Sequence, residues 1–244
     1  MKKERTLIYI KLTPERNETL FSGIMFVDFI NYLSVPIDNI LLLKADYVGD
    51  NSQHNFELLE GKDCIAKFAL EENIYNYGDF CFVDYANVDS VGQLNGLQIA
   101  ELLYLVHMYK PLNSPFFNVL QNRFAYLSHD DGYYCKVYCK EREASVLVIL
   151  NKIRENIIKK YHCNPPLLPD NIVEEIYQLS TEGLTVDLDN ISHKDGIITI
   201  NFYVVGEYKN MDHFYDISKK ANFKGSLEAR LSCSDNEWSL DIMR

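Results

Sequence analysis

Residues 124–140 read FAYLSHDDGYYCKVYCK, and the fold prediction starts from this stretch. Asp131-Gly132 is the two-residue signal of a type I′ turn, because both central residues of that turn need a positive φ. Alternating β-forming residues flank the turn on both sides. The sequence therefore predicts a β-hairpin with strands at 124–128 and 133–140.

The turn also fixes which residues of the two strands face each other. Counting outward from it pairs Ser128 with Cys135, Tyr126 with Val137 and Phe124 with Cys139. Paired residues share one face of a sheet, and we take this face as the core side. The opposite face is then predicted to point outward, and it carries Leu127, His129, Tyr134, Lys136 and Tyr138.

Outside the hairpin, hydrophobic periodicity predicts the remaining elements. The predicted strands are 6–12, 39–48, 79–85, 185–191, 197–205, 226–232 and 238–243, with 62–70 leaning towards strand. The predicted helices are 14–33, 97–108, 141–160, 170–179 and 212–220. The first helix rests on the spacing of Leu20, Ile24, Val27 and Ile30. These elements predict an α+β fold with a mainly antiparallel sheet and packed helices.

The segment 163–169 is the predicted domain boundary, because it holds three of the seven prolines. It separates a larger α+β domain at 1–162 from a smaller β-rich domain at 170–244. Two separate domains and two parts of one packed unit both fit this pattern.

A second copy of the turn motif occurs later in the chain. Ser192-His193-Lys194-Asp195-Gly196 matches the stretch Ser128–Gly132 in four of five positions. The repeat fits an internal duplication, and it fits two hairpins that use the same turn chemistry. We favour shared turn chemistry.

Composition limits the classes of function. The chain has 244 residues, 47% of them hydrophobic, and a formal net charge of −11. That charge disfavours nucleic acid and anionic lipid as partners, because binding to both depends on cationic contacts. No apolar stretch approaches the roughly 18 residues of a membrane-spanning helix. We expect a soluble cytoplasmic protein without membrane insertion.

No cofactor is expected from the motifs. The sequence has no glycine-rich phosphate loop, no nucleophile elbow and no zinc-type Cys/His spacing. Its six cysteines are predicted to be reduced thiols on buried positions.

Two polar groups are candidates for catalysis. His129 and Asp130 lie beside the first turn, and Glu101 and His107 lie on the helix 97–108. Under an enzymatic hypothesis, these four residues form the cleft of a small hydrolase or a metal-dependent enzyme. The alternative is that Asp130 and its neighbours only build a turn, and that the helix residues form a solvated edge.

Tyrosine is abundant, with 17 residues, and its rigid ring with a polar tip suits recognition surfaces. The predicted binding surface consists of Tyr133, Tyr134, Lys136 and Tyr138. The leading hypothesis is a non-enzymatic binding or regulatory protein that acts on a protein partner, for which a basic partner fits the charge. An acidic inhibitor or immunity-type protein is one form of it.

Three stretches carry a resemblance to a known family. They are YGDFCFVD at 77–84, IAELLYL at 99–105 and NRFAYLSHDDG at 122–132. They resemble an uncharacterised bacterial protein family of unknown function, some of whose members carry an oxalate/formate antiporter label. The missing membrane span argues against that label here, and the resemblance implies no site residue.

Overall fold

The computed structural model describes residues 6–44, 56–75, 80–108, 110–129, 134–208 and 226–243. Within these residues the chain forms six α-helices and twelve β-strands. The pairings between the strands are antiparallel. The predicted α+β class with an antiparallel sheet is therefore confirmed.

The elements have the following bounds. The strands are β1 (Leu7–Thr13), β2 (Glu18–Ser22), β3 (Asn39–Lys44), β4 (Phe56–Glu60), β5 (Phe80–Asp84), β6 (Phe124–His129), β7 (Tyr134–Cys139), β8 (Leu184–Asp187), β9 (Ser192–Lys194), β10 (Ile197–Val204), β11 (Ser226–Ser234) and β12 (Glu237–Ile242). The helices are α1 (Phe26–Tyr32), α2 (Lys62–Tyr75), α3 (Val88–Val91), α4 (Gly96–Met108), α5 (Arg142–Tyr161) and α6 (Asp170–Leu179).

The chain divides into two compact units, and the first is discontinuous in sequence. It contains Met1–Ile24 and Ser145–Arg244, and the second unit is Met25–Ala144. This division differs from the predicted domains 1–162 and 170–244, because the proline segment 163–169 lies inside the first unit. Polar contacts hold it there: the Trp238 Nε1–H donates to the Pro166 carbonyl at 3.0 Å.

In the first unit the strand order is β12-β11-β10-β8-β1-β2, and β9 pairs with the first three residues of β10. Helices α5 and α6 pack on one face of these strands. Ile10 of β1, Ile149 of α5 and Ile176 of α6 meet around an apolar cavity of about 20 Å³. A cavity of that size has room for roughly one water molecule, so it is a packing gap rather than a ligand site.

The predicted helix 14–33 is wrong over most of its length. Pro14–Arg16 forms a single 3-10 turn, and Asn17 follows with a φ of 49°, so the chain reverses into the β1–β2 hairpin. Gly23 then ends β2 with a φ of 91°, and a Cβ there would lie 1.7 Å from the Leu7 carbonyl oxygen. Only the last part of the predicted helix forms, as α1.

In the second unit the strand order is β7-β6-β5-β3-β4. An aromatic cluster fixes α1 and α2 on one face of it. The Phe26 ring of α1 lies 5.4 Å from Phe68 of α2, 4.9 Å from Phe82 of β5 and 5.3 Å from Tyr126 of β6, between ring centres. Edge-to-face packing of this kind adds to the free energy gained by burying the rings.

The predicted register of the first hairpin is confirmed. Phe124 pairs with Cys139, Tyr126 with Val137 and Ser128 with Cys135, and all six residues are buried. The Asp131-Gly132 turn itself lies outside the described residues.

The second predicted turn is confirmed in its geometry. Asp195 and Gly196 both have positive φ, at 53° and 79°, as a type I′ turn requires. The strand that enters this turn is β9, whereas the prediction placed it at 185–191. Those residues supply β8 instead, which pairs with β1 and β10.

Among the other predictions, α4, α5, α6 and the final strand pair β11–β12 are confirmed. The prediction that 62–70 favours a strand is wrong, since those residues belong to α2. The predicted helix 212–220 lies outside the described residues. No helix in the described part of the chain is long and apolar enough to cross a membrane.

Candidate functional site

The structure contradicts the predicted tyrosine surface at Tyr138. Its side chain is only 6% exposed, and Leu127 on the same face is fully buried. Lys136 is half-buried, and its Nζ lies 5.3 Å from the centre of the Tyr138 ring. This side of the hairpin is therefore covered, not outward. Tyr133 and the side chain of Tyr134 lie outside the described residues.

The predicted catalytic residues are only partly described. Glu101 and His107 lie on α4, and His129 is the last residue of β6. The Glu101 carboxylate accepts a hydrogen bond from the Asn113 side chain at 2.5 Å, which ties α4 to the following loop. The side chains of His107 and His129, and all of Asp130, lie outside the described residues. The cleft between them stays a prediction.

A buried carboxylate was missed by the sequence analysis. Asp84, at the end of β5, accepts hydrogen bonds from the backbone N–H groups of Arg123 and Phe124, both at 2.8 Å, and from Arg123 Nε at 3.1 Å. Burial raises the pKa of Asp84, and these hydrogen bonds only partly offset the rise. We interpret Asp84 as the anchor that fixes where β6 begins.

Among the side chains that the structure describes, no three His, Cys, Asp or Glu residues come together as a metal site.

The final hairpin carries partly exposed apolar side chains on its outer strand. Asp235 and Asn236, with φ of 52° and 63°, form its two-residue turn. The register pairs Cys233 with Trp238 and Leu231 with Leu240. Within the described residues β12 pairs only with β11, so it is the edge strand of the first unit.

The core face of the first unit extends onto β12, where its side chains become more exposed to solvent. One row runs from Ile200 of β10 through Leu231 of β11 to Leu240 of β12. Ile200 and Leu231 are fully buried, whereas Leu240 is half-buried. Further along β12, Ile242 is 47% exposed. We call Trp238, Leu240 and Ile242 the edge stripe.

The backbone of the same three residues faces the open side. The Met243 N–H donates to the Glu228 carbonyl at 2.8 Å, so the amide of Met243 points towards β11. Because amides alternate sides along a strand, those of Trp238, Leu240 and Ile242 point away from β11. The edge stripe therefore combines apolar side chains with backbone groups that have no strand partner among the described residues.

No known relative assigns this edge a role. No protein-family model matches the chain, and no curated protein or solved structure is significantly similar to it. The family resemblance of residues 75–140 stays a prediction.

The other face of β12 is acidic. Glu237 and Asp241 are exposed there and alternate with the edge stripe. The sequence EWSLDI contains no lysine, arginine, histidine or proline. Lysine and proline are common means of keeping an edge strand from pairing with another chain. The charged residues of β12 itself, Glu237 and Asp241, are acidic, and Arg230 of β11 lies directly opposite Asp241.

The signal for this site was present in the sequence. Period-two alternation of Trp238, Leu240 and Ile242 predicts a strand with one apolar face, and that strand was predicted. What the sequence does not show is that β12 ends the sheet, because strand order depends on pairings between distant segments.

Proposed function

We propose that this chain is a binding protein that receives an extended, basic segment of another protein as an added strand beside β12. The observation that carries the proposal is the edge stripe, where the half-buried side chain of Leu240 and the exposed side chain of Ile242 coincide with outward-pointing backbone groups. This retains the hypothesis of a binding protein with a basic partner and moves its surface from the first hairpin to the last.

Strand addition uses both features of the edge. The outward amides and carbonyls of Trp238, Leu240 and Ile242 offer hydrogen bonds that any extended segment can complete. Alternate apolar residues of that segment would continue the core face and cover Ile242. Burying apolar surface contributes about 25 cal/mol per Å², so the side chains add affinity that the backbone alone lacks.

The charges favour a basic segment over a second copy of the chain. Glu237 and Asp241 would face the side chains on the polar side of the incoming strand. A lysine or arginine there gains an opposite charge, whereas a second β12 brings two more carboxylates. The net charge of −11 also repels a second copy and attracts a basic chain over a longer range.

A peptide of known sequence tests the proposal. The probe is a short synthetic peptide of alternating valine and lysine, and binding is followed by the fluorescence of Trp238, the only tryptophan in the chain. We expect saturable binding that weakens with added salt. Two control peptides should not bind: one with glutamate in place of lysine, and one N-methylated at every valine. The valine amides face β12 when the valine side chains lie on the face of the edge stripe, so the methylated peptide cannot donate to the edge in that register.

A matched pair of variants separates backbone pairing from side-chain contact. Ile242→Pro removes an outward N–H without removing a bond to β11, and Ile242→Ala removes the side chain but keeps the N–H. We expect Ile242→Pro to weaken binding of the valine–lysine peptide at least about tenfold relative to Ile242→Ala. Equal binding by the two variants would show that no strand is added.

A charge reversal tests the choice of partner. Asp241→Lys should weaken binding of the valine–lysine peptide and allow the valine–glutamate peptide to bind. Glu175→Lys, an equal change on the exposed side of α6, should leave both peptides as they were apart from a small general effect. If both reversals act alike, only net charge matters and the edge is not the site.

Self-association is measured in the same preparation by sedimentation of the free protein. A dimer that Ile242→Pro dissociates would replace the basic partner with a second copy and overturn the proposal.

A further inference from the structure

We propose that Cys163 and Cys233 are a reactive thiol pair that closes into a reversible disulfide when the protein meets a low-molecular-weight disulfide such as oxidised glutathione. All six cysteines are free thiols in the structure. The proposal does not depend on strand addition at β12.

The position of Cys233 is set by the final hairpin. Cys233 lies directly opposite Trp238 in the β11–β12 register, so the two side chains are on the same face. The Trp238 indole N–H donates to the Pro166 carbonyl at 3.0 Å. The proline segment 163–169 therefore lies over the face of the sheet that carries the Cys233 thiol.

The position of Cys163 is set by the end of α5. The helix ends at Tyr161, and His162 has a φ of 55°, which turns the chain back. Arg154 then holds the next residues: its Nε donates to the Pro165 carbonyl at 3.2 Å and its terminal nitrogen to Asn164 Oδ1 at 2.6 Å. Cys163 is thus fixed between a helix end and an arginine clamp.

Electrostatics agree with the placement of Cys163 on the side of the sheet that carries Cys233. Burial raises the pKa of the Cys233 thiol, and the charge of Cys163 raises it further. This effect agrees with the placement of Cys163 that the Trp238–Pro166 hydrogen bond and the hairpin register give.

Accessibility assigns the two thiols different roles. Cys163 is half-buried and Cys233 is buried. The Cys163 thiolate attacks one sulfur of oxidised glutathione, forms a mixed disulfide and releases one glutathione thiolate, which takes a proton from water. Cys233 then loses its proton to water, attacks the Cys163 sulfur and expels the second glutathione. Two protein thiols are oxidised, and one oxidised glutathione is reduced to two glutathione molecules.

The test starts from the reduced full-length protein and excess oxidised glutathione. After acid quenching, the unreduced digest is mapped by mass spectrometry. We expect a cross-linked peptide that joins Cys163 to Cys233, loss of Trp238 fluorescence because a disulfide quenches a neighbouring indole, and recovery of both signals with dithiothreitol. The exposed Cys64 is an internal control, which should carry glutathione without a cross-link.

Three variants keep the test decisive. Cys64→Ser should leave the cross-link unchanged. Cys163→Ser should keep Cys233 reduced and the fluorescence constant. Cys233→Ala should trap the glutathione adduct on Cys163, and if this buried substitution prevents folding, Cys163→Ser still gives the answer. A wild-type protein that ends with glutathione on Cys163 and a free thiol at Cys233 overturns the proposal.

Discussion

The hairpins β6–β7 and β11–β12 resemble each other in sequence and differ in their surroundings. Both alternate apolar and polar residues around a short turn. In β6–β7 the face carrying Tyr126 is buried, and so is the face carrying Leu127 and Tyr138. In β11–β12 one face is polar, and the apolar face becomes exposed at the outer strand.

The difference shows that alternation of apolar and polar residues identifies a strand but does not predict whether either of its faces is buried. A residue such as Tyr138 alternates with Val137 as a surface residue would, yet it is buried because other parts of the chain cover both sides of the hairpin. Ile242 alternates in the same way and is half-exposed because its strand is at an edge.

The largest effect should come from the same substitution made once in each hairpin. Leu127→Ala should lower the free energy of unfolding by about 2–5 kcal/mol, because it leaves a cavity in a fully packed region. Leu240→Ala removes the same atoms from a half-buried site and should cost about 1 kcal/mol or less. Urea unfolding followed by circular dichroism measures both.

Equal losses at the two positions would contradict the contrast between the hairpins. A large loss at Leu240 would mean that the edge stripe is covered in solution.

An intermediate effect is expected from the turn of the exposed hairpin. Asn236 has a φ of 63°, a conformation that asparagine tolerates and a β-branched residue does not. Asn236→Val should cost about 1–2 kcal/mol, measured by urea unfolding followed by Trp238 fluorescence. Ser239→Val is the control, because valine suits the exposed strand position, and it should cost nothing. If both variants lose stability, the turn is not what holds β12 in register.

The smallest effect concerns the anchor of the buried hairpin. Burial raises the pKa of Asp84 above its ordinary value of 3.8. The folded protein therefore binds this proton more readily than the unfolded chain does. The Asp84 contribution to stability should rise as the pH falls through the folded pKa, and it is complete below the ordinary value.

Urea midpoints for wild type and Asp84→Asn, measured between neutral and mildly acidic pH, test this sign. We expect the urea midpoint of the wild type to rise relative to that of Asp84→Asn as the pH falls. Asp89→Asn, at an exposed position, should follow the wild type. If the urea midpoint of the wild type instead falls relative to that of Asp84→Asn in acid, the ion pair with Arg123 outweighs the effect of burial on the Asp84 pKa.

Local signals in the sequence were sufficient where the structure is local. The register of β6–β7, the turn at Asp195-Gly196 and the helices α4, α5 and α6 all follow from residues close together in the chain. The same holds for β11–β12, which contains the candidate site.

The failures occurred where distant residues decide. The helical spacing of Leu20, Ile24 and Val27 is genuine, yet residues 18–22 pair with β1, and Gly23 fits tightly against the Leu7 carbonyl. Neither the burial of Tyr138 nor the exposure of Ile242 is encoded within its own strand. The candidate edge could be predicted as a strand but not as an edge.

The split composition of the first unit has a consequence for synthesis on the ribosome. Strand β1 needs β8 as its partner, and more than half of the chain must be translated between the two. The second unit is continuous and can fold while translation proceeds. Until β8 emerges, the nascent β1 can pair with β2 but has a free second edge, and the side chains of Leu7, Ile8 and Ile10 lack part of their final cover.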